Sequence, residues 1–295
     1  MARARAHSQA ADRAADADLA VALEAYRDHA FRRVPSRRVT GEASALGFIT
    51  ETGFCAAFTA GLGVPCLREA IEGRREPPLP EHIQHDRAII MTWNLKDALP
   101  ARKAVYYGKA IAGRPSFIAP AILPAFLRLR AAPGGYTRLY ARGALSHCAK
   151  LVMDALVKRG PAETMALKLA SGHAQPKLRA AFDRAMKELQ EKFLALKVEE
   201  RYDPFTYVWD TMERRWDEAM RAARTLSPAA AALAIVRRYF EIAGYGNERA
   251  IARILAIDPA LVDRAAARLA RERVIVRDRR VSGMRESVAM LARFV

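Results

Sequence analysis

The chain has 295 residues, of which 52% are hydrophobic, and its formal net charge at pH 7 is +17. This length allows two or three domains with packed cores, and no apolar run approaches the ~20 residues that span a bilayer, which excludes an integral membrane protein. The positive charge favours a polyanionic partner, above all nucleic acid, because binding to an anionic membrane surface would require a long basic amphipathic helix that the sequence lacks.

Residues 1–17 are predicted to form a flexible leader. They contain no apolar core of the kind that a secretory signal needs, and Asp12 and Asp16 are atypical of a transit peptide, so we expect a cytoplasmic protein. The cysteines Cys55, Cys66 and Cys148 occur without a CxxC spacing or a nearby histidine pair. This pattern argues against a disulfide framework and a zinc site, and we expect neither a metal nor a cofactor.

Residues 18–144 are predicted to form an N-terminal winged-helix-like module with a Pro-rich linker and a basic helical region. One amphipathic helix ends near Pro35, a second follows Gly41, and a third runs from Pro65 to Gly73. The linker then reads EPPLPEH and should be extended. Beyond it the chain is predicted to be helical, with a break at Leu99-Pro100 before a further segment, ARKAVYYGKAI.

Residues 145–226 are predicted to form a second winged helix plus an insertion. A helix begins after Ser146 and ends at Gly160, a second helix follows, and a third begins at Pro176 before the strand FLALKVEER. The insertion covers residues 202–223 and contains four aromatic residues that we expect to pack the modules together, namely Tyr202, Tyr207, Trp209 and Trp216. Base stacking by these side chains is the alternative.

Residues 227–295 are predicted to form a C-terminal winged helix. Helices begin at Ser227-Pro228, Asn247 and Asp258-Pro259, and a strand at residues 274–276 leads into a hairpin that returns at Val281. In a DNA-binding winged helix the third helix enters the major groove and the wing touches the backbone, whereas a packing or dimerisation bundle is the alternative. The predicted fold class is mainly α with short β-hairpins, as three tandem winged helix-turn-helix modules.

The most lopsided charge distribution lies between Asp97 and Asp154, where the sequence has no acidic residue. A solvated surface usually mixes both signs, so this window indicates phosphate contacts. The predicted DNA-binding residues are basic residues in or beside this window and arginines of the C-terminal module. They are Lys96, Arg102, Lys103, Lys109, Arg114, Arg128, Arg130, Arg138, Arg142, Arg264, Arg268, Arg277, Arg279 and Arg280.

Several short segments resemble the winged-helix family of interstrand-crosslink repair DNA glycosylases. They are Gly53-Phe54-Cys55, the PCLREA helix from Pro65, the stretch WNLKDALPARKAVYYGK from Trp93, and the C-terminal winged helix. The resemblance covers most of residues 40–270. It implies three tandem winged helices around a DNA channel and cleavage of the N-glycosidic bond of alkylated purines without metal or cofactor.

The family's catalytic signature is a glutamine, an apolar residue and then a glutamine or aspartate, placed just after a Leu-Gly pair. Here Leu46-Gly47 is followed by FITET, so Thr50 and Glu51 lie at or near the first glutamine and Thr52 at the last. The water-orienting pair is therefore not carried over intact. Base excision needs a group that accepts a proton from water, and Glu51 or Asp97 could serve. A helix-end or capping carboxylate is the alternative for both.

Lys96 could attack a sugar as an amine, but a surface lysine is protonated at neutral pH, so we expect a phosphate contact. Trp93 is either a core residue or a stacking platform for an extruded base. Tyr106 and Tyr107 point ~100° apart if the segment is helical, so one should pack into the core and the other could stack on a base.

The function expected from these observations is DNA binding, with the excision of alkylated or crosslinked bases. The expected partner is double-stranded DNA, including damaged DNA, with no membrane association, and the protein should be a monomer. The alternatives are a non-enzymatic winged-helix DNA-binding protein, acting in regulation or damage recognition, and a protein-interaction scaffold.

Overall fold

The computed structural model describes residues 17–131 and 134–295. The predicted leader lies outside these residues, apart from residue 17, which begins the helix α1 (17–30). The first group of elements then comprises α2 (Glu42–Thr52), β1 (Phe54–Ala56), α3 (Leu67–Glu72), α4 (Arg87–Ala101), β2 (Tyr106–Ile111) and β3 (Arg114–Ile118).

Two further groups repeat this order of helix, strand, two helices and two strands. After α5 (Leu123–Arg130) and α6 (Gly135–Ala141), the second group comprises α7 (His147–Arg159), β4 (Ala162–Glu163), α8 (Thr164–Ala170), α9 (Arg179–Glu191), β5 (Ala195–Tyr202) and β6 (Phe205–Thr211). After α10 (Met212–Arg215) and α11 (Asp217–Thr225), the third comprises α12 (Pro228–Ala243), β7 (Tyr245–Gly246), α13 (Glu248–Leu255), α14 (Pro259–Arg271), β8 (Ile275–Arg279) and β9 (Val288–Leu291). We call these groups repeats 1, 2 and 3.

Each repeat carries a small antiparallel sheet with one strand order. The third strand of the repeat lies between the first and the second, so the orders are β1-β3-β2, β4-β6-β5 and β7-β9-β8. The two long strands therefore form a hairpin, and the short strand after the first helix is added at one edge. The described chain is mainly helical with small antiparallel sheets, as the sequence predicts.

Local capping explains why several predicted helices begin where they do. The side chains of Ser146, Ser227, Asn247 and Asp258 each accept a hydrogen bond from a backbone N–H in the first turn of the following helix. Pro228 and Pro259 occupy the first helical position, where the missing N–H costs nothing. These predicted starts are confirmed.

The predicted helix break at Leu99-Pro100 lies within one residue of the end of α4 at Ala101. Three other details differ from the prediction. The segment after α4 forms the strand β2 rather than a helix. The predicted insertion at residues 202–223 includes β6, which pairs with β5 as the second strand of a hairpin. The return strand of repeat 3 begins at Val288 instead of Val281, because residues 280–287 form a longer loop.

A continuous apolar core joins the repeats. One buried cluster contains phenylalanines from all three repeats, namely Phe54 of repeat 1, Phe193 just after α9 in repeat 2 and Phe240 of repeat 3. It also includes Phe126 of α5. Repeats 1 and 2 each have a further cluster of their own. Burial of apolar side chains across the repeats therefore fixes their relative positions. Within the described residues, no helix is both long and apolar enough to cross a membrane.

Tyr106 is expected to stabilise this core through its ring and not through its hydroxyl. The side chain is fully buried, its ring stacks on Phe193 at a centroid distance of 5.1 Å, and its Oη has no hydrogen-bond partner among the described residues. Tyr106→Ala should lower the free energy of unfolding by about 3–5 kcal/mol. Tyr106→Phe should leave it unchanged or raise it by up to about 1 kcal/mol, since it removes an unsatisfied buried hydroxyl. Urea unfolding of both variants checks the contrast, and a loss above about 1 kcal/mol for Tyr106→Phe would contradict it.

Candidate functional site

A cavity of about 670 Å³ lies between repeats 1 and 2. Helix α4 and the β2–β3 hairpin form its wall on one side, and α8, α9 and the β5–β6 hairpin form the other. Its lining residues are Phe58, Trp93, Lys96, Tyr107, Gly108, Lys109, Pro115, Thr164, Lys168, Arg179, Phe182, Asp183, Met186, Gln190, Lys197, Glu200, Phe205, Thr206, Tyr207 and Trp209. The lining thus combines aromatic rings with cationic side chains.

The aromatic rings form flat walls for the cavity. On the repeat 1 side, Trp93 is 45% exposed and its ring lies 6.2 Å from that of Phe58. On the repeat 2 side, Tyr207 lies edge-on between Phe205 and Trp209, at 5.1 and 5.7 Å. A half-exposed tryptophan facing further aromatic rings is a suitable surface for stacking a planar ligand.

A cluster of two lysines and two carboxylates borders the cavity. The Nζ of Lys96 lies 2.6 Å from Oε1 of Glu200 and 2.9 Å from Oδ1 of Asp97. The Nζ of Lys197 contacts Glu200 and lies 3.6 Å from Oδ1 of Asp97. Tyr202 donates a 2.6 Å hydrogen bond to Oδ2 of Asp97. Lys96 and Glu200 are only 4% and 2% exposed, so these charges depend on one another for compensation.

Two local features bring these side chains together. Trp93 and Lys96 are three residues apart on α4, which places them on one face, and the Lys96 ammonium lies 4.4 Å from the centre of the Trp93 ring. On β5 the register with β6 shifts between Lys197 and Glu199. This bulge turns Lys197 and Glu200 to the same face, although residues three apart on a regular strand point to opposite faces.

The protonation of Lys197 differs from that of a solvated lysine. Burial, and next the neighbouring ammonium of Lys96, lower the pKa of Lys197 to about 7, against the opposing effect of Asp97. A substantial fraction of this amine is therefore neutral near neutral pH. Burial also raises the pKa of Tyr107, whose hydroxyl stays protonated. The cluster can thus offer a free amine beside carboxylates in one partly enclosed space.

The structure brings together four of the predicted site residues, since Trp93, Lys96, Tyr107 and Lys109 all line the cavity. Asp97 is not among the lining residues, but its contacts with Lys96 and Lys197 place it at the edge of the cavity. Tyr106 points into the core, so one of the adjacent tyrosines packs and the other faces the cavity, as predicted. The helical basis of that prediction is wrong, because alternation along the strand β2 separates them.

The other predicted catalytic residues lie at the end of α2, outside the cavity lining. Glu51 is 61% exposed on its side chain, which pairs with Arg32 at 2.8 Å, and its carbonyl accepts a hydrogen bond from Arg238 at 3.4 Å. The hydroxyl of Thr52 is buried and donates to the carbonyl of Phe48. Thr50 is exposed. The structure does not bring Glu51 and Asp97 together through any contact among the described residues.

Several predicted phosphate contacts are engaged within the protein. The prediction of Lys96 as a surface lysine is wrong, because α4 turns it into the buried ion cluster. Arg130 donates to the carbonyl of Glu191 at 3.0 Å and lies over the ring of Phe193, and burial lowers its pKa. Arg102 pairs with Glu42 and does not pair with Asp97.

The remaining predicted cations differ in their exposure. Arg277 makes ion pairs with Glu248 and Asp263, and Arg268 pairs with Glu272. Arg128 and Lys109 are partly exposed. The remaining exposed members of the set are Lys103, Arg114, Arg138, Arg142, Arg264, Arg279 and Arg280. These seven keep their donors at the surface, and their contact with DNA stays a prediction.

Sequence reasoning offered Tyr207 and Trp209 as alternative stacking residues but missed the charged residues on the repeat 2 side of the cavity. Lys168, Arg179, Lys197 and Glu200 were not among the predicted site residues, although all four line it. A lysine within the apolar strand segment FLALKVEER is a signal that could have pointed to Lys197. The place of Glu200 depends on the β5 bulge, for which the sequence carries no comparable signal. Among the described residues, no group of three or more His, Cys, Asp or Glu side chains is placed to hold a metal ion.

Comparisons with known proteins give a consistent result. Residues 39–256 match the family described as AlkZ related. The fold is similar to that of the solved Streptomyces sahachiroi DNA glycosylase AlkZ, with a TM-score of 0.57 and 13% sequence identity, over 91% of this chain and 70% of that one. No match is found among curated proteins. Because the family match extends over well more than half of the sequence, this protein belongs to the AlkZ-related family.

Proposed function

We propose that this protein is a DNA-repair glycosylase that binds double-stranded DNA and hydrolyses the N-glycosidic bond of alkylated or crosslinked bases. We further propose that it acts as a cytoplasmic monomer with three winged-helix modules, at residues 18–144, 145–226 and 227–295. The repeated order of helix, strand, two helices and two strands supports the winged-helix assignment. Membership of the AlkZ-related family supports the role in DNA repair.

The observation that carries the proposal is the cavity between repeats 1 and 2. A glycosylase must take its target base out of the DNA stack and hold it between aromatic or apolar side chains. The cavity volume of about 670 Å³ falls within the ~300–1,000 Å³ typical of ligand pockets, and Trp93 and Tyr207 supply rings on opposite walls. Lysines beside the rings favour a ligand attached to a phosphate backbone.

Asp97 is the carboxylate that we assign to hydrolysis. Loss of a base leaves positive charge on the sugar, and a carboxylate at the cavity edge would stabilise that charge and accept a proton from the attacking water. Lys96 and Lys197 lie beside one carboxylate oxygen of Asp97, while the Tyr202 hydroxyl orients the other oxygen. Glu51, paired with Arg32 and open to solvent, is the second candidate for this role.

Base release tests the proposed activity. Duplexes containing 7-methylguanine, 3-methyladenine or an interstrand crosslink should lose free base faster with the protein than by spontaneous depurination. The alternative function, non-enzymatic DNA binding, is favoured by FITET standing where the family has its glutamine motif. Duplex binding with no base release from any of the three substrates would establish that alternative.

Replacing Lys168 and Arg179 by alanine is expected to weaken the salt dependence of duplex binding. Both side chains border the cavity on repeat 2, where we propose that they contact phosphates. Each lost phosphate contact should reduce the slope of log K against log salt by about 0.9, so the double variant should lose about 1.8. Fluorescence anisotropy at several salt concentrations measures the slope. Lys158→Ala, at the exposed end of α7, is the control with an unchanged slope, and an unchanged slope in the double variant would contradict the assignment.

A further inference from the structure

We propose that Lys197 is an amine nucleophile that condenses with the aldehyde of an abasic deoxyribose and cleaves the DNA strand beside it. The inference rests on the proposed function, because base excision leaves such a sugar at the cavity. It adds a second activity, strand cleavage, to base hydrolysis. It also assigns a role to a side chain that base hydrolysis alone does not require.

The position of the amine is the first support. Lys197 projects from β5 into the cavity, and its Nζ lies 5.2 Å from the ring centres of both Tyr107 and Tyr207. The two rings confine the side chain, which is 13% exposed and therefore reachable from the cavity but shielded from bulk water. A nucleophile held in one place beside a bound sugar needs little further ordering to react.

The surroundings of the amine are the second support. The titratable groups that face it come from four elements: Lys96 and Asp97 of α4, Tyr107 of β2, Glu200 and Tyr202 of β5, and Tyr207 of β6. Two ammonium groups share two carboxylates here. Burial, and next the ammonium of Lys96, lower the pKa of Lys197 against the opposing effect of Asp97. Lys197 is also the more exposed of the two lysines, and so the one open to a substrate.

Lys96 is a poorer nucleophile because its side chain is more deeply buried, at 4% exposed against 13% for Lys197. Both ammonium groups contact Glu200, but the Nζ of Lys96 also lies closer to Asp97, at 2.9 Å against 3.6 Å. Attack by Lys96 would leave the nearly inaccessible Glu200 with one partner fewer. The geometry therefore points to Lys197 as the nucleophile and to Lys96 as the cation that pairs with both carboxylates.

The proposed steps need no oxidant or reductant. The neutral amine of Lys197 adds to C1′ of the ring-opened sugar, and a proton passes from nitrogen to the C1′ oxygen. The resulting hydroxyl takes a second proton from solvent and leaves as water, which gives a protonated imine. Asp97 then takes a proton from C2′, the electron pair of that bond forms a double bond between C2′ and C3′, and the C3′–O bond breaks with the 3′ phosphate as leaving group. Hydrolysis of the imine returns the amine and releases the unsaturated aldehyde.

The test uses the full-length protein and a duplex with a preformed abasic site, so it does not depend on base excision. Cyanoborohydride should reduce the imine to a stable protein–DNA adduct, and peptide mass mapping should place it on Lys197. Lys197→Arg keeps the positive charge and should reduce the adduct by about tenfold or more, as should Lys197→Met. Lys158→Met, which removes an exposed ammonium outside the cavity at the end of α7, should form as much adduct as the wild type. Adduct formation should increase from about pH 6 to about pH 8, since the neutral amine is the reactive form.

Failure of this proposal can be separated from failure of the proposed function. An abasic duplex that binds but yields no adduct, an adduct undiminished in Lys197→Arg, or an adduct mapped to another lysine would each overturn the assignment. Base release from alkylated DNA could still succeed in those cases, and an adduct on Lys197 could form even if no base is released. Thermal melting and abasic-duplex binding of Lys197→Arg show that any loss does not come from unfolding.

Discussion

Replacing Lys96 by methionine is expected to lower the free energy of unfolding by about 3–5 kcal/mol. The ammonium of Lys96 lies 2.6 Å from Glu200, whose side chain is almost completely buried, and 2.9 Å from Asp97. Without it, two carboxylates would face the single ammonium of Lys197, and at least one buried negative charge would be poorly compensated. Urea unfolding measures the loss, and the slope of the free energy of unfolding against urea concentration is compared between the variants.

The matched control for this change is Lys158→Met, which removes an exposed ammonium at the end of α7. It should change the free energy of unfolding by no more than about 0.5 kcal/mol. A loss below about 1 kcal/mol for Lys96→Met would mean that its ammonium is solvated, as in an exposed phosphate-contact lysine, and would contradict the buried ion cluster.

Asp97→Asn is expected to lower single-turnover base release by about 100-fold or more. The asparagine retains the shape and can still accept from Tyr202, but it cannot take a proton from water or balance positive charge on the sugar. Glu51→Gln should lower the rate by less than about threefold, because Glu51 lies outside the cavity and pairs with Arg32 at the surface. Quantifying free base under enzyme excess compares the two variants directly.

Tyr202→Phe is the control for the orientation of Asp97. It removes the 2.6 Å hydrogen bond to the carboxylate but leaves the charge, so its effect should be clearly smaller than that of Asp97→Asn. The opposite ranking, with Glu51→Gln inactive and Asp97→Asn near wild type, would move hydrolysis to the end of α2, where Thr50-Glu51-Thr52 stands at the position of the family's motif.

The helices of repeat 3 illustrate what the sequence can predict. The sequence predicts three helix starts in this repeat, at Ser227-Pro228, Asn247 and Asp258-Pro259. Helices begin at all three places in the structure. Each cap satisfies a backbone N–H within a few residues, so the decisive interaction is local and visible in sequence. The same reasoning located the helix after Ser146 in repeat 2.

The cavity could not be predicted in the same way, because its geometry depends on contacts distant in sequence. The hydrogen bond from Tyr202 to Asp97 joins residues 105 positions apart. Lys96 looked exposed by composition alone, and only packing of α4 against β5 shows that it is buried. The β5 bulge that aligns Lys197 with Glu200 depends on pairing with β6. Tertiary contacts therefore determine the site, whereas local chemistry determines the helix boundaries.

The most direct test of the central claim is to locate the extruded base. A duplex can carry one photoactivatable 6-thioguanine at a mismatched position, where flipping costs least. After irradiation of the bound complex, mass mapping of the crosslinked peptide should identify the segments around Trp93 or Tyr207, which line the repeat 1 and repeat 2 sides of the cavity. A crosslink confined to the α2 end near Glu51, or to repeat 3, would contradict the assignment of this cavity as the base-binding site.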